Sequence, residues 1–259
     1  MRKARYLIPF TLLVLFSACQ KDSKKTLRII ASPTPHSEML EFIIPELKKQ
    51  GINLEVITLT DYLLPNKLID EKEADANFFQ HIPFLEHQKN EEHYKLEVLG
   101  KIHLEPMGIY SKSLEKTDDF YGKSVAVPLD PSNEKRALNL LEQAGFISLY
   151  PVDNPTILDI KINPYNLTFI EVDAALLPRI FSDVDLAVIP TNFALQANLN
   201  PQKDALFLET GDSGFANVVV IHPESEKKEE LSILLDCLKS EKMEEFIRTA
   251  YRGAIIPAD

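Results

Sequence analysis

Glycine and cysteine are scarce in this 259-residue chain, which carries eight Gly and two Cys. So few glycines leave little material for phosphate-cradling loops. Neither a Walker-type loop nor Gly-x-Gly-x-x-Gly occurs. No Gly-x-Ser-x-Gly elbow is present either, so nucleophilic catalysis of that type has no support. Basic residues are outnumbered, with 28 Lys and Arg against 39 Asp and Glu and a formal net charge of −11 at pH 7. Nucleic-acid binding calls for clustered cations and is disfavoured; the acidity serves solubility. No internal repeat is visible. What is present is ordinary for a soluble globular protein, 45% hydrophobic and 26% charged residues, and the length suits two lobes.

The amino terminus is the first informative stretch. Arg2, Lys3 and Arg5 precede an apolar segment from Tyr6 to Phe16, broken by Pro9 and Thr11, and then come Ser17, Ala18 and Cys19. A basic start, a short apolar core and small residues mark a secretory signal. The core falls short of the roughly 20 residues that a membrane span needs. A buried helix is the competing reading, disfavoured by the polar run Gln20 to Thr26 that follows. The Cys19 junction resembles a bacterial lipobox, with Phe16 where Leu is commoner. That resemblance implies removal of residues 1–18, a lipid on Cys19 and a tether over 19–25. Losing Arg2, Lys3 and Arg5 takes the formal charge from −11 to −14. No second membrane-spanning candidate is seen. Cys237, in the apolar helical run Leu231, Leu234, Leu235 and Leu238, reads as an inert buried thiol.

Beyond the tether, strands and helices alternate. Leu27 to Ala31 is a strand candidate, broken by Ser32-Pro33-Thr34-Pro35. His36 to Gln50 has helical spacing with Met39, Leu40, Ile43, Ile44 and Leu47 on one side; Pro45 is expected to kink it and Gly51 to stop it. Strands are predicted at 54–57, 75–80, 96–102, 106–111, 125–128, 168–172, 186–190 and 218–222. Helices are predicted at 83–90, 133–144, 227–239 and 242–251, with Asp61 capping another. This alternation argues an α/β architecture.

Two stretches carry candidate chemistry. In Leu129-Asp-Pro-Ser-Asn-Glu-Lys-Arg-Ala-Leu138, Pro131 and Ser132 fit a helix start, and Asn133 and Arg136 project from one face of the first turn. An Arg beside a helix amino terminus suits a carboxylate. The alternative is a solvated Arg paired with Glu134 or Asp130. In Asp75-Ala-Asn-Phe-Phe-Gln-His-Ile-Pro-Phe84, three Phe beside Asn, Gln and His suit an apolar pocket with a polar rim; a plain core strand is the alternative. His81, His87 and His93 lie six apart, off any common helix face, and His36 and His103 are remote in sequence, so no metal site is expected.

Several further segments, in order, bear a resemblance. Ala31-Ser-Pro-Thr-Pro-His36, Asp75 to His81, His103-Leu-Glu-Pro-Met-Gly-Ile-Tyr-Ser111, Asp130 to Leu138, Glu171 to Arg179, Asp183 to Phe193, Phe215 to Val220 and Phe246 to Ala258 resemble the signature segments of the NlpA lipoprotein family, the methionine-binding lipoproteins of ABC importers. The resemblance runs from about Leu27 to the end. It implies a periplasmic-binding-protein-like α/β fold of type II: two lobes, a crossing-strand hinge and a ligand in the cleft. Lobe 1 is expected at 26–107 and 218–259, lobe 2 at 108–217. It implies that Arg136 holds the carboxylate of methionine with Asn133 beside it, and that Asn192 and Asn217 orient the amino and carboxylate groups. Phe78, Phe79, His81 and Phe84 are implied around the thioether. Four positions depart from the family pattern: Phe193 and Phe215 stand where Tyr is usual, Lys135 where Gly is, and Pro190 where Asn is.

The sequence reading is therefore a non-enzymatic, monomeric solute-binding lipoprotein without cofactor. It is held outside the cell membrane by lipid on Cys19, on the periplasmic side in a Gram-negative cell. It delivers methionine, in L- or D-form, to an ABC permease and its ATPase. Another small amino acid or a peptide, and a metal-binding importer subunit, remain as alternatives.

Overall fold

A computed structural model describes residues 25–210 and 213–258; Cys19 and the expected signal lie outside the described residues. In chain order, β1 (Thr26–Ala31), α1 (Glu38–Lys49), β2 (Asn53–Thr58), α2 (Leu64–Asp70), β3 (Ala76–His81), α3 (Ile82–Glu92) and β4 (Glu97–Leu104) come first. Next are β5 (Gly108–Tyr110), β6 (Ser124–Pro128), α4 (Pro131–Gln143), β7 (Ser148–Leu149), β8 (Ile160–Ile162), β9 (Thr168–Val172), α5 (Leu177–Ile180), β10 (Leu186–Ile189), α6 (Thr191–Gln196), α7 (Pro201–Asp204) and β11 (Ala205–Leu208). The chain closes with β12 (Ala216–Ile221), α8 (Lys228–Leu238), α9 (Glu241–Tyr251) and β13 (Ile256–Pro257).

The strands form two main sheets, ordered β13-β4-β12-β3-β1-β2 and β11-β5-β10-β6-β9; β7 and β8 pair separately. Strand alternation gives each sheet two apolar faces. In the first sheet Leu27, Ile29, Phe78, Val219 and Ile221 meet α1, α8 and α9. Ile30, Val218 and Val220 meet Ile69 and Leu85 from α2 and α3 on the other side. In the second, Val125, Val127 and Val188 pack on Leu138 and Leu141 of α4, and Ala126, Ala187 and Ile189 on Leu177 and Phe193. Among the described residues, no helix is long and apolar enough to cross a membrane.

Local signals explain most boundaries. Asp130, not Ser132, caps α4, accepting a hydrogen bond from Asn133 N at 3.0 Å. The helix stops before Gly145 at φ +82°, a left-handed position that glycine takes without strain. Asp61 acts as expected, its Oδ1 accepting from Leu63 N and Leu64 N at the start of α2. The helix expected from His36 begins at Glu38, after a kinked turn over Pro33–Ser37 in which Thr34 is extended, and runs through Pro45. The sequence reading set a lobe boundary at 217/218; Ala216 and Asn217 are instead the first residues of β12 in the first sheet.

The chain passes between the sheets twice, through 105–107 and between β11 and β12. The strands on either side of these crossings are neighbours in each sheet, β4 with β12 and β5 with β11. The crossings are bonded together: Glu209 N donates to Met107 O at 2.9 Å, and Met107 N donates to a Glu209 carboxylate oxygen at 3.0 Å.

At Gly108, where the first crossing enters β5, a Cβ would lie 2.8 Å from the ring and hydroxyl of Tyr110, a fully buried side chain with no room to move aside. Gly108→Ala should therefore lower the unfolding free energy by about 1–3 kcal/mol, the usual cost of overpacking. Urea titration tests this, and a loss below about 0.5 kcal/mol would show that the Tyr110 ring yields.

Candidate functional site

A buried cavity lies between the lobes, where the β3–α3 junction, the first crossing, the amino ends of α4 and α6, and the start of β12 converge. Its walls include Tyr62, Phe79, His81, Phe84, Glu105, Asn133, Arg136, Asn192 and Asn217. Seven of the eight ligand-site residues expected from sequence are thus together. Phe78 is elsewhere: it faces the opposite side of the first sheet and meets the rings of His36 and His103 edge-on, at 4.5 and 5.4 Å between centroids. A register shift between Val218 and Val219, which pair with Gln80 and Phe78, leaves Phe79 unpaired in the ladder. Neighbouring side chains of a strand point to opposite faces, which puts Phe79 on the cavity side and Phe78 on the other.

Arg136 is 4% exposed. Its Nε donates to both oxygens of Glu209 at 3.0 and 3.1 Å, and its Nη2 to Glu209 Oε2 and to the Glu105 carbonyl, the latter at 2.7 Å. Its Cζ lies 4.3 Å from the Phe215 ring centroid. The third nitrogen, Nη1, takes part in none of these bonds. The alternative of a solvated Arg paired with Glu134 or Asp130 is replaced by a buried Arg paired with a residue 73 positions away. Glu134 instead accepts from Ile157 N at 2.9 Å, and burial lifts its pKa to about 7.

Asn133 lines the cavity and is held from two sides. Its Nδ2 donates to both Asp130 oxygens at 3.0 Å, and its Oδ1 lies 3.1 Å from His81 Nε2. His81 Nδ1 accepts from Phe84 N at 3.2 Å, so the ring proton must sit on Nε2 and be donated to Asn133. Burial, reinforced by Arg136, lowers the His81 pKa to about 3. Asn133 therefore fixes His81 as well as lining the cavity beside Arg136.

Glu105 is the cavity's carboxylate. Its Oε1 accepts from His103 Nε2 at 2.7 Å with His36 Nε2 at 3.4 Å, and its Oε2 accepts from Asn192 N at 3.0 Å. Burial raises its pKa, opposed by His36 and Arg136. His36 Nε2 also lies 3.1 Å from Asn217 Oδ1. On Asn192, Oδ1 accepts from the Tyr62 hydroxyl at 3.0 Å, while Nδ2 is buried with no hydrogen-bond partner among the described residues.

His36, His103 and Glu105 bring three potential metal-ligand atoms within 4.8 Å, although the two histidines are 67 positions apart in sequence. In this arrangement both Nε2 atoms face acceptors and so carry protons. The group is a hydrogen-bonded pillar beneath the cavity.

Tyr62, Glu105 and Thr191 are wall residues that the sequence reading missed. Glu105 lay inside the quoted segment His103 to Ser111, as a lone charge between a strand and a proline. Tyr62, in the loop after β2, carries no comparable signal. Thr191 hydrogen-bonds the Pro106 carbonyl through its hydroxyl. In this arrangement the cavity measures about 20 Å³, room for about one water molecule.

Two α/β lobes, paired crossings and a buried cavity with fixed charges define a two-lobed solute-binding protein. The profile of the NlpA lipoprotein family matches residues 27–259, and the chain belongs to that family. It is 38% identical to the methionine-binding lipoprotein MetQ of Bacillus subtilis over 245 residues, 92% of this chain and 89% of that protein. A nutrient-binding protein from Burkholderia cenocepacia, solved bound to methionine, superposes with a TM-score of 0.85 at 38% identity, covering 90% of this chain and all of that one. A periplasmic substrate-binding protein of an ABC transporter from Coxiella burnetii gives 0.82 at 38% identity, with the same coverage.

Burial holds His36 near pKa 4 and His103 near 3, alongside His81. Each imidazole contributes stability that is complete above the ordinary value of 6.5 and lost as pH falls below it, because the unfolded chain takes up the proton first. Glu105 and Glu134, raised by burial, act in the opposite sense. In ring-nitrogen NMR at pH 5, all three histidines should remain neutral with the proton on Nε2; an imidazolium at any of them would contradict the network.

Proposed function

We propose that the chain is an extracytoplasmic solute-binding lipoprotein that encloses a free amino acid, methionine, and delivers it to an ABC permease and its ATPase. The observation that carries this is the pairing of Arg136 and Glu105 in one cavity beside the unpartnered Nδ2 of Asn192. A zwitterion supplies one negative and one positive charge. Both lose their water on enclosure, so each needs a directional partner. Arg136 Nη1 and Asn192 Nδ2 suit the carboxylate, and Glu105 suits the ammonium. Phe79, Phe84 and Tyr62 suit an unbranched thioether, since aromatic edges favour a polarizable sulfur. The names of the relatives, MetQ and a methionine-bound nutrient-binding protein, agree with this ligand. Uptake requires the lobes to part about the crossings and then shut, a hinge motion. The action is binding rather than catalysis, and the chain works as a monomer.

Calorimetric titration of ligand-stripped protein with L- and D-methionine tests this reading. Truncating one partner of a buried charge pair costs about 2–5 kcal/mol, so Arg136→Ala should weaken binding roughly 30-fold to several thousandfold. Unchanged affinity in Arg136→Ala would remove Arg136 from the site, and a wild type that binds no amino acid would remove the function.

Anchoring completes the proposal: cleavage before Cys19, lipid on Cys19, and residues 19–25 as a tether outside the membrane. A palmitate analogue fed to expressing cells should label wild type and leave Cys19→Ser unlabelled; equal labelling would assign the lipid elsewhere.

A further inference from the structure

The cavity and a surface groove share a wall. The groove, about 290 Å³, opens between the lobes and is lined by Leu63 and His87 from one and Leu129, Pro131 and Ala174 from the other. Tyr62 and Phe84 line both the groove and the buried cavity. These two rings therefore separate the side-chain end of the site from the surface.

Their anchorage differs. Phe84 stands in the first turn of α3, where its N–H is bound by His81. Tyr62 belongs to a loop of the first lobe, yet its ring packs into the apolar cluster of the second. It lies 5.2 Å from Phe193 across the cleft and 5.8 and 5.7 Å from Phe79 and Phe84 on its own side. Its hydroxyl donates to Asn192 Oδ1, which commits that oxygen and leaves Nδ2 as the group's free donor. One residue thus seals the far end of the cavity, bridges the lobes and orients a head-group donor.

We propose that Tyr62 is the specificity-determining gate of this site, limiting ligands to amino acids whose thioether carries a small substituent and excluding larger S-substituted homocysteines. The inference rests on the amino-acid reading above. Removing the ring joins cavity and groove into one channel that runs from Arg136 to the surface beside Leu129. A bulky S-substituent then has somewhere to lie, against the apolar side chains of Leu63, Leu129 and Pro131.

The test is a calorimetric comparison of L-methionine with S-benzyl-L-homocysteine on wild type, Tyr62→Phe, Tyr62→Leu and Tyr62→Ala, each stripped of ligand. Wild type should prefer methionine. Tyr62→Phe keeps the ring and should keep that preference, with affinity for methionine reduced about two- to tenfold by loss of one hydrogen bond. Tyr62→Leu and Tyr62→Ala should lower the preference ratio at least tenfold, and the Leu variant carries the test if the Ala variant does not fold. A ratio that stays constant across the folded variants, or a wild type that takes the benzyl compound as tightly as methionine, overturns the gate. A wild type that binds neither compound overturns the amino-acid reading itself, an outcome distinct from failure of the gate alone.

Discussion

A guanidinium buried between two chain crossings governs the middle of this molecule. Arg136 reaches from α4 to the carboxylate of Glu209 on the second crossing and the carbonyl of Glu105 on the first. A buried cation left without partners costs several kcal/mol, so the two crossings must sit where both can be reached. Glu209 meets this demand twice over, since the same carboxylate accepts from Met107 N. The hinge and the binding site are for this reason one structure: the group that holds the crossings together also presents a donor to the cavity. Phe215 over the guanidinium adds a cation–π contact and covers its face.

The rest of the site follows from satisfying the polar groups around that cation. Glu105 is taken up by His103, His36 and the Asn192 amide, and His36 in turn by Ser32 and Asn217. Asp130 and Asn133 fix His81. Asn66, Asn77 and Gln80 form a buried amide cluster that reaches the cavity wall at Gln80. Each member of these networks is held by another, which fixes rotamers more narrowly than apolar packing does. The unpartnered Nδ2 of Asn192, a residue of the cavity wall, stands out against this background of hydrogen-bonded groups. Membership of the NlpA lipoprotein family and the likeness to a methionine-bound relative fit a wall that is aromatic at one end and charged at the other.

The lobes also touch outside the crossings, through the hydrogen bonds of Tyr62 with Asn192, His81 with Asn133 and Gln202 with the Gly253 carbonyl, and through Leu195 packed on the first lobe's core. The three hydrogen bonds join neutral groups, each worth about 0.5–1.5 kcal/mol net. They are weak beside the charged staple at the crossings. Opening therefore breaks the cleft contacts first and leaves the hinge intact, a division of strength suited to a protein that must shut on a solute and release it.

Local chemistry was legible in the sequence. The alternation of Leu27, Ile29 and Ala31, the stop at Gly145 and the Asp61 cap fixed elements to within a few residues, because each depends on neighbours along the chain. The segment around Arg136 and the aromatic run at Phe78 to Phe84 pointed to the site for the same reason. Partners could not be read this way. That Arg136 answers to Glu209, that Asn133 is held by Asp130 and His81, and that His36 and His103 meet at Glu105 depend on pairs far apart in sequence and brought together by the two crossings. Phe78 and Phe79 were indistinguishable by type; alternation puts them on opposite faces, and only the packing of β3 in the first sheet decided which face meets the cavity. Tyr62 was silent in sequence because its role comes from reaching across to the other lobe. Sequence determined which residues were available for binding, since propensity and spacing are local; tertiary structure decided what each could still offer a ligand, since the partners a group has inside the fold set how many of its donor or acceptor sites stay open.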